Sequence, residues 1–204
     1  MAFPDFFAAA PRIRVRDPLA ALLGASDDGS IEYGYADAVR VAGHSCPTVA
    51  GAWLMARAAL RALYPDGPAE RGGIRVTMQA AETEGTTGVV AQIFTLLTGA
   101  AAGNGFHGIG GRFVRADLLR YGDGDNRALA RFRRRDSGLE VGVRMDLSSV
   151  PAAPELPALM PRALAPDASA DEQQRFGHAW QDRVRRLLLD HADDANVIMV
   201  EHYA

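Results

Sequence analysis

The residues best suited to chemistry lie in one short run, Gly43-His44-Ser45-Cys46-Pro47. The run contains the only cysteine of the 204-residue chain and one of its five histidines. Thiolate and imidazole are the side chains that zinc and the other late transition metals prefer. Because Pro47 opens a helix-like stretch, we expect Cys46 at a helix N-cap, where the positive end of the helix dipole favours a thiolate. The run therefore predicts a metal site or a reactive cysteine. The alternative is that Cys46 is a small buried apolar residue and His44 a turn residue.

Further candidates lie in the middle of the chain. His107 belongs to a glycine-rich stretch, residues 99–111, whose backbone can closely approach another element, and we expect this imidazole to reach the His44 and Cys46 site. The same stretch lacks a Gly-Lys-Ser/Thr sequence, which argues against a phosphate loop. Glu82 and Glu84 stand where a strand meets a helix, and they either serve the site or simply complement the helix dipole. No site role is assigned to His178, His191 or His202.

Composition excludes several classes of function. All 22 basic residues are arginine, so lysine Schiff-base chemistry and a Walker-type phosphate lysine are excluded. The net charge of −3 gives no general attraction to nucleic acid or to a membrane surface. A single cysteine cannot form an internal disulfide, and the first residues do not resemble a signal peptide. We therefore expect a cytoplasmic protein with no nucleic-acid or membrane partner.

The elements that must position the candidate residues follow from apolar periodicity. Helices are predicted at 47–63, 87–98 and 170–189. Strands of one sheet are predicted at 73–80, 127–134, 139–146 and 195–201, the second and third of them joined by an Asp136-Ser137-Gly138 turn. This order predicts an α+β fold with a mixed sheet covered by helices. We expect one domain over residues 1–204, with the 35 N-terminal residues and residues 150–168 as irregular extensions.

The chain resembles the FmdE-like family, which takes its name from a component of formylmethanofuran dehydrogenase. Four features over roughly residues 36–190 carry the resemblance: the Gly-His-x-Cys-Pro turn that opens a helix, Glu82-Thr83 at a strand end, Gln92 on the next helix, and the loop from Thr98 to Gly105. The resemblance implies an α-β-α-β-β-β core similar to the catalytic domain of glyceraldehyde-phosphate dehydrogenase. It does not imply that the chain belongs to that methanogenic enzyme.

Departures from the family pattern concern its metal ligands. The family usually has a histidine, a cysteine, an aspartate and a second cysteine at positions that here hold Ala42, Thr86, Val89 and Ala100. The zinc-ribbon module of some members is also not found. The resemblance therefore implies a metal site reduced to His44 and Cys46. We expect His107 to complete it, from the same protomer or from a second one. The alternatives are that Glu82 completes the site or that the metal site is lost.

Three functions remain open at this point. The leading hypothesis is a cytoplasmic homodimer that binds zinc or another late transition metal through His44, Cys46 and His107 and acts on an unknown substrate. The first alternative is an enzyme with Cys46 as a nucleophile that His44 activates. The second is a degenerate family member that only binds a small-molecule ligand or a partner.

Overall fold

A computed structural model of the protein describes residues 3–122 and 127–203, so the ends of the expected domain 1–204 lie outside the described residues. The helices are α1 (Phe6–Ala9), α2 (Pro18–Leu22), α3 (Tyr35–Ala42), α4 (Pro47–Leu63), α5 (Thr87–Thr98), α6 (Leu156–Ala163) and α7 (Ala170–Leu189). The strands are β1 (Ile13–Arg16), β2 (Ser30–Tyr33), β3 (Ala69–Glu70), β4 (Ile74–Met78), β5 (Leu119–Arg120), β6 (Ala130–Arg134), β7 (Glu140–Met145) and β8 (Ile198–Tyr203).

The three long helices begin and end where their sequence patterns predict. Helix α4 starts with Pro47, whose missing N–H is no loss in the first turn. Helix α5 ends at Gly99, which adopts the left-handed conformation with φ of 71°. Helix α7 starts with a capping box, in which Ser169 and Glu172 satisfy each other's backbone N–H groups. Local capping chemistry therefore fixes one end of each of these helices.

The main sheet has five strands in the order β5-β4-β6-β7-β8. Strands β4 and β5 are parallel and the other pairs are antiparallel, so the sheet is mixed. The four predicted strands are all present, each within a few residues of its predicted range. Strands β6 and β7 form the expected hairpin, with Ala130 opposite Val143. The predicted α+β class is confirmed, whereas the likeness to the glyceraldehyde-phosphate dehydrogenase domain stays a prediction.

Helix α4 forms the centre of the core. It packs across β6, β7 and β8 on one side and against α5 and α7 on the others. Its Trp53 and Met55 are completely buried. At Gly51 a Cβ atom would lie 2.0 Å from the sulfur of Met145, so a larger residue would displace the Met145 side chain from its place between helix and sheet. The turn that precedes α4 is thus attached to the helix at the centre of the core.

The two segments expected to be irregular contain regular structure, which corrects that prediction. The first 35 residues contribute β1 and β2, which form a small second sheet with β3 in the order β2-β1-β3. Residues 150–168 contain α6, in which Pro157 occupies the first turn, where proline is tolerated. The abundance of proline concealed this short helix, and the alternation of apolar and charged residues in β1 extends over only four positions.

None of the helices in the described ranges combines the length and the apolar composition needed to cross a bilayer.

Candidate functional site

The turn at residues 43–47, called here the Cys46 turn, joins α3 to α4. Gly43 ends α3 with φ of 74°, and its N–H donates to the carbonyl oxygen of Val39 at 2.8 Å. Cys46 is the N-cap of α4, as predicted, and its sulfur accepts the N–H of Val49 at 3.5 Å. The thiol is nearly buried, with 8% of the residue exposed. The sulfur therefore lies at the positive end of a helix and accepts one of the backbone N–H groups that have no partner within the helix.

His44 and Cys46 contact each other directly. The Nε2 atom of His44 lies 3.3 Å from the Cys46 sulfur, and Nδ1 lies 2.9 Å from the carbonyl oxygen of Ala42. A carbonyl oxygen can only accept, so Nδ1 carries a hydrogen and Nε2 of the neutral imidazole is free to accept a proton or bind a cation. The pair can therefore act as a thiol with an adjacent base or as two metal ligands.

Ser45, between these two residues, is held by a network that sequence reasoning missed. Its hydroxyl donates to the side-chain oxygen of Gln181 at 3.0 Å and accepts from the Tyr35 hydroxyl at 3.0 Å. Its carbonyl oxygen accepts from Trp180 Nε1 at 3.1 Å and from the Gln181 amide at 3.0 Å. Burial raises the pKa of Tyr35, so this phenol stays protonated as a donor. Helices α3 and α7 thus fix the conformation of the Cys46 turn.

A groove next to α3 collects the other residues of the sequence motifs. It has a volume of about 410 Å³, and Glu82, Gln92, Asn104 and Val41 are among its lining residues. Partial burial raises the pKa of Tyr121 on the groove wall, and the charge of Glu82 raises it further. Val41 lies on the last turn of α3, just before the Cys46 turn, although the turn itself does not line the groove. The groove is large enough for a small organic ligand.

The remaining candidates are not gathered around Cys46 within one chain. His107 lies in the exposed part of the 99–111 loop, and Glu84 is exposed in the turn before α5. In the described ranges, no three His, Cys, Asp or Glu side chains form a group that could hold a metal ion. His107 therefore does not complete a metal-ligand group with His44 and Cys46 of its own chain, and its contribution from a second chain stays a prediction.

The pair itself fits two positions of a tetrahedral zinc site. Zinc–sulfur and zinc–nitrogen bonds of about 2.3 Å and 2.0–2.1 Å place two such donors about 3.6 Å apart. The observed separation of 3.3 Å needs only a small adjustment to reach that value. The bond from Nδ1 to Ala42 also resembles the arrangement that orients metal-binding histidines elsewhere, in which the second ring nitrogen donates to a carbonyl oxygen.

Comparison with known protein families identifies the chain's relatives. Residues 41–195 match the family described as FmdE, molybdenum formylmethanofuran dehydrogenase operon, which is about three quarters of the chain. The chain belongs to the FmdE family. No curated protein matches it.

Two positions at which this FmdE-family protein lacks the ligand of the family pattern, Val89 and Ala100, are packed against or within the core. Ala100 is completely buried, and Val89 packs against the hydrophobic core. These two positions therefore contribute to packing instead of offering ligands. Of the ligand types expected from the resemblance, the Cys46 turn keeps only His44 and Cys46.

Proposed function

We propose that this FmdE-family protein binds zinc or another late transition metal through His44 and Cys46. The observation that carries the proposal is the 3.3 Å approach of His44 Nε2 to the Cys46 sulfur, with Nδ1 already occupied by Ala42. Two protein ligands leave coordination positions open, which suits exchangeable binding or catalysis better than a closed structural site. A single, nearly buried free cysteine suits a reducing compartment, so we assign the protein to the cytoplasm.

A homodimer with His107 of a second copy as third ligand is part of this proposal. Phe106 and Ile109, on either side of His107, are 43% and 46% exposed, and Val41, just before the Cys46 turn, is 44% exposed. Large apolar side chains therefore lie exposed on both segments that carry the proposed ligands. Association that buries them brings an imidazole to the pair without a change of the chain's own fold.

The side chains have distinct tasks in such a site. Cys46 supplies a thiolate at the helix N-terminus, and His44 supplies a neutral imidazole whose orientation Ala42 fixes. Ser45 and its partners Tyr35 and Gln181 keep the two donor atoms at their spacing. A bound zinc ion would act as a Lewis acid toward a ligand at an open position. The groove lined by Glu82 and Gln92 offers the nearby space for a small molecule.

A cysteine nucleophile is the second candidate function, and the same contact favours it. A thiol within 3.3 Å of an imidazole nitrogen can transfer its proton to that nitrogen. The helix N-terminus would then stabilise the thiolate, while Nδ1 stays bound to Ala42. A third function, binding of a small molecule or partner without metal or catalysis, uses only the groove.

Loss of the thiol is expected to abolish metal binding. Cys46→Ser keeps an N-cap oxygen for Val49 and should fold normally, but it lacks the soft ligand. Wild-type protein purified without an affinity tag should contain a stoichiometric transition metal by mass spectrometry, and Cys46→Ser and His44→Ala should contain none. His178→Ala, an exposed histidine on α7, is the matched control and should keep the metal.

Other outcomes of this experiment separate the three functions. Full metal occupancy in Cys46→Ser would show that the site lies elsewhere. Metal-free wild-type protein whose Cys46 reacts quickly with iodoacetamide, and more slowly in His44→Ala, would support the nucleophile instead. Metal-free protein whose Cys46 reacts slowly with iodoacetamide would leave only the third function, binding of a small molecule or partner.

Replacement of His107 is expected to weaken metal binding by at least tenfold, as losses around metal sites commonly do. The affinity is measured by competition with a chromophoric chelator, with His202→Ala as the matched control. Metal binding should also return when Cys46→Ser and His107→Ala chains are mixed, because a mixed dimer regains one intact site. Unchanged affinity in His107→Ala would contradict its role as a ligand. Failure of the mixture to recover binding would contradict the second-copy arrangement.

A further inference from the structure

A second cleft, distinct from the groove and the Cys46 turn, is lined by arginines. It has a volume of about 510 Å³ and lies between the end of β3 and the loop at residues 111–115. Its charged lining residues are Arg16, Arg71, Arg112, Arg115, Arg135 and Glu70. We call it the arginine cleft. None of these residues belongs to the motifs that carry the family resemblance.

Two of its arginines share one buried carboxylate. Arg115 bonds one oxygen of Asp17 at 2.7 Å, and Arg71 bonds the other oxygen. Only 9% of the Arg115 side chain and 6% of the Asp17 side chain are exposed. Two guanidinium groups and one carboxylate leave an excess positive charge in a poorly hydrated place, where an unpaired charge is costly.

The buried guanidinium groups also have unused donors. Nη1 of Arg115 and Nε of Arg71 are buried and have no hydrogen-bond partner among the described residues. Buried donors of this kind are rare in proteins and call for a partner. Burial lowers the pKa of Arg115, although the attraction of Asp17 opposes this effect. An anion in the cleft would supply the missing charge and, once a guanidinium group rotates toward the cleft, the missing acceptor.

The outer arginines add to the positive charge. Arg16 is 3.8 Å from Glu70, Arg135 donates to the carbonyl oxygen of Gly72, and Arg112 stacks on the Phe113 ring with 4.8 Å to its centre. The described wall of the cleft therefore has five arginines against two carboxylates, Glu70 and the more deeply placed Asp17. Arginine's planar set of donors matches the oxygen atoms of phosphate groups.

The backbone accommodates this arrangement at Gly72. Its φ is 80°, a conformation that favours glycine, and a Cβ atom there would lie within 1.8 Å of Arg115 Nη1. Any other residue would push the guanidinium out of its position. Phe113, which also lines the cleft, has φ of 62°, an unusual conformation for a residue other than glycine. The backbone at Phe113 is therefore locally strained where it forms the wall of the cleft.

We propose that the arginine cleft is a binding site for a phosphorylated small molecule. Its phosphate oxygens accept hydrogen bonds from Arg115, Arg71 and Arg112, and its charge of about −2 offsets the excess positive charge of the cleft. The volume lies within the range of sites that bind small organic ligands, so the cleft has room for more than the phosphate group. This site is independent of the metal site proposed above.

Calorimetry on the whole protein at fixed ionic strength tests this proposal with defined probes. Pyrophosphate and adenosine diphosphate are expected to bind, and adenosine without phosphate is not. Tighter binding of the diphosphate ester than of pyrophosphate would support an organic phosphate as ligand, and equal binding would support recognition of the phosphoryl group alone. Arg112→Gln should weaken binding about tenfold, the usual effect of losing one charge-assisted hydrogen bond. Arg115→Met should abolish binding.

Controls separate a built site from general charge attraction. Arg175→Gln removes an exposed arginine on α7 and should leave binding unchanged, as should Cys46→Ser and added chelator. No binding of any phosphorylated probe, equal affinity for sulfate, or equal losses in Arg112→Gln and Arg175→Gln would each overturn the proposal. If Arg115→Met does not fold, Arg112→Gln and Arg135→Gln decide, because both of these side chains are exposed.

Discussion

Replacement of Asp17 by asparagine is expected to lower the free energy of unfolding by about 3–5 kcal/mol, the cost of leaving a buried charge without its partner. Asp17 is 4% exposed and neutralises both Arg71 and Arg115. Its Oδ1 atom also accepts the N–H of Leu19 as the N-cap of α2. Asparagine can still cap that helix, so the loss reports on the charge alone.

Chemical denaturation of the wild type and the Asp17→Asn variant measures this loss. The matched control is Asp136→Asn, which breaks a pair with Arg134 at the surface, where the Asp136 side chain is 62% exposed. The control should change the stability by no more than about 1 kcal/mol. Similar small losses in both variants would mean that the Asp17 cluster is well hydrated, which would also weaken the case for the arginine cleft.

Truncation of Trp53 to alanine is expected to cost about 3–5 kcal/mol, as for other large buried aromatic residues. Trp53 is completely buried at the centre of α4, and its Nε1 donates to the carbonyl oxygen of Pro11 at 3.0 Å. Its ring also packs edge-on against Tyr35, with 6.2 Å between ring centres. Because Tyr35 donates to Ser45, the same substitution should loosen the Cys46 turn.

Thermal and chemical unfolding of Trp53→Ala and Trp53→Phe test this expectation. Phenylalanine keeps much of the ring volume and removes the hydrogen bond, so it should cost less, about 1–3 kcal/mol. Equal losses in the two variants would show that the bond to Pro11, and not the packing of α4, dominates at this position.

Local sequence chemistry was sufficient for the parts of the fold that depend on near neighbours. The starts of α4 and α7 follow from their N-caps, the end of α5 follows from Gly99, and the β6–β7 hairpin follows from its turn. The pair of His44 and Cys46 could be predicted for the same reason, because residues two apart in one tight turn meet wherever that turn lies.

The tertiary structure decided everything that joins distant parts of the chain. Gln181 and Trp180 bond to Ser45 across more than 130 positions, and Arg115 meets Asp17 across 98. Periodicity indicates which face of an element is buried, but not which other element covers it. Three features depend on that choice of partner: the hydrogen-bond network around Ser45, the arginine cleft, and the separation of His107 from Cys46 within one chain. Packing of helices and sheets makes this choice through many weak contacts that no short stretch of sequence contains.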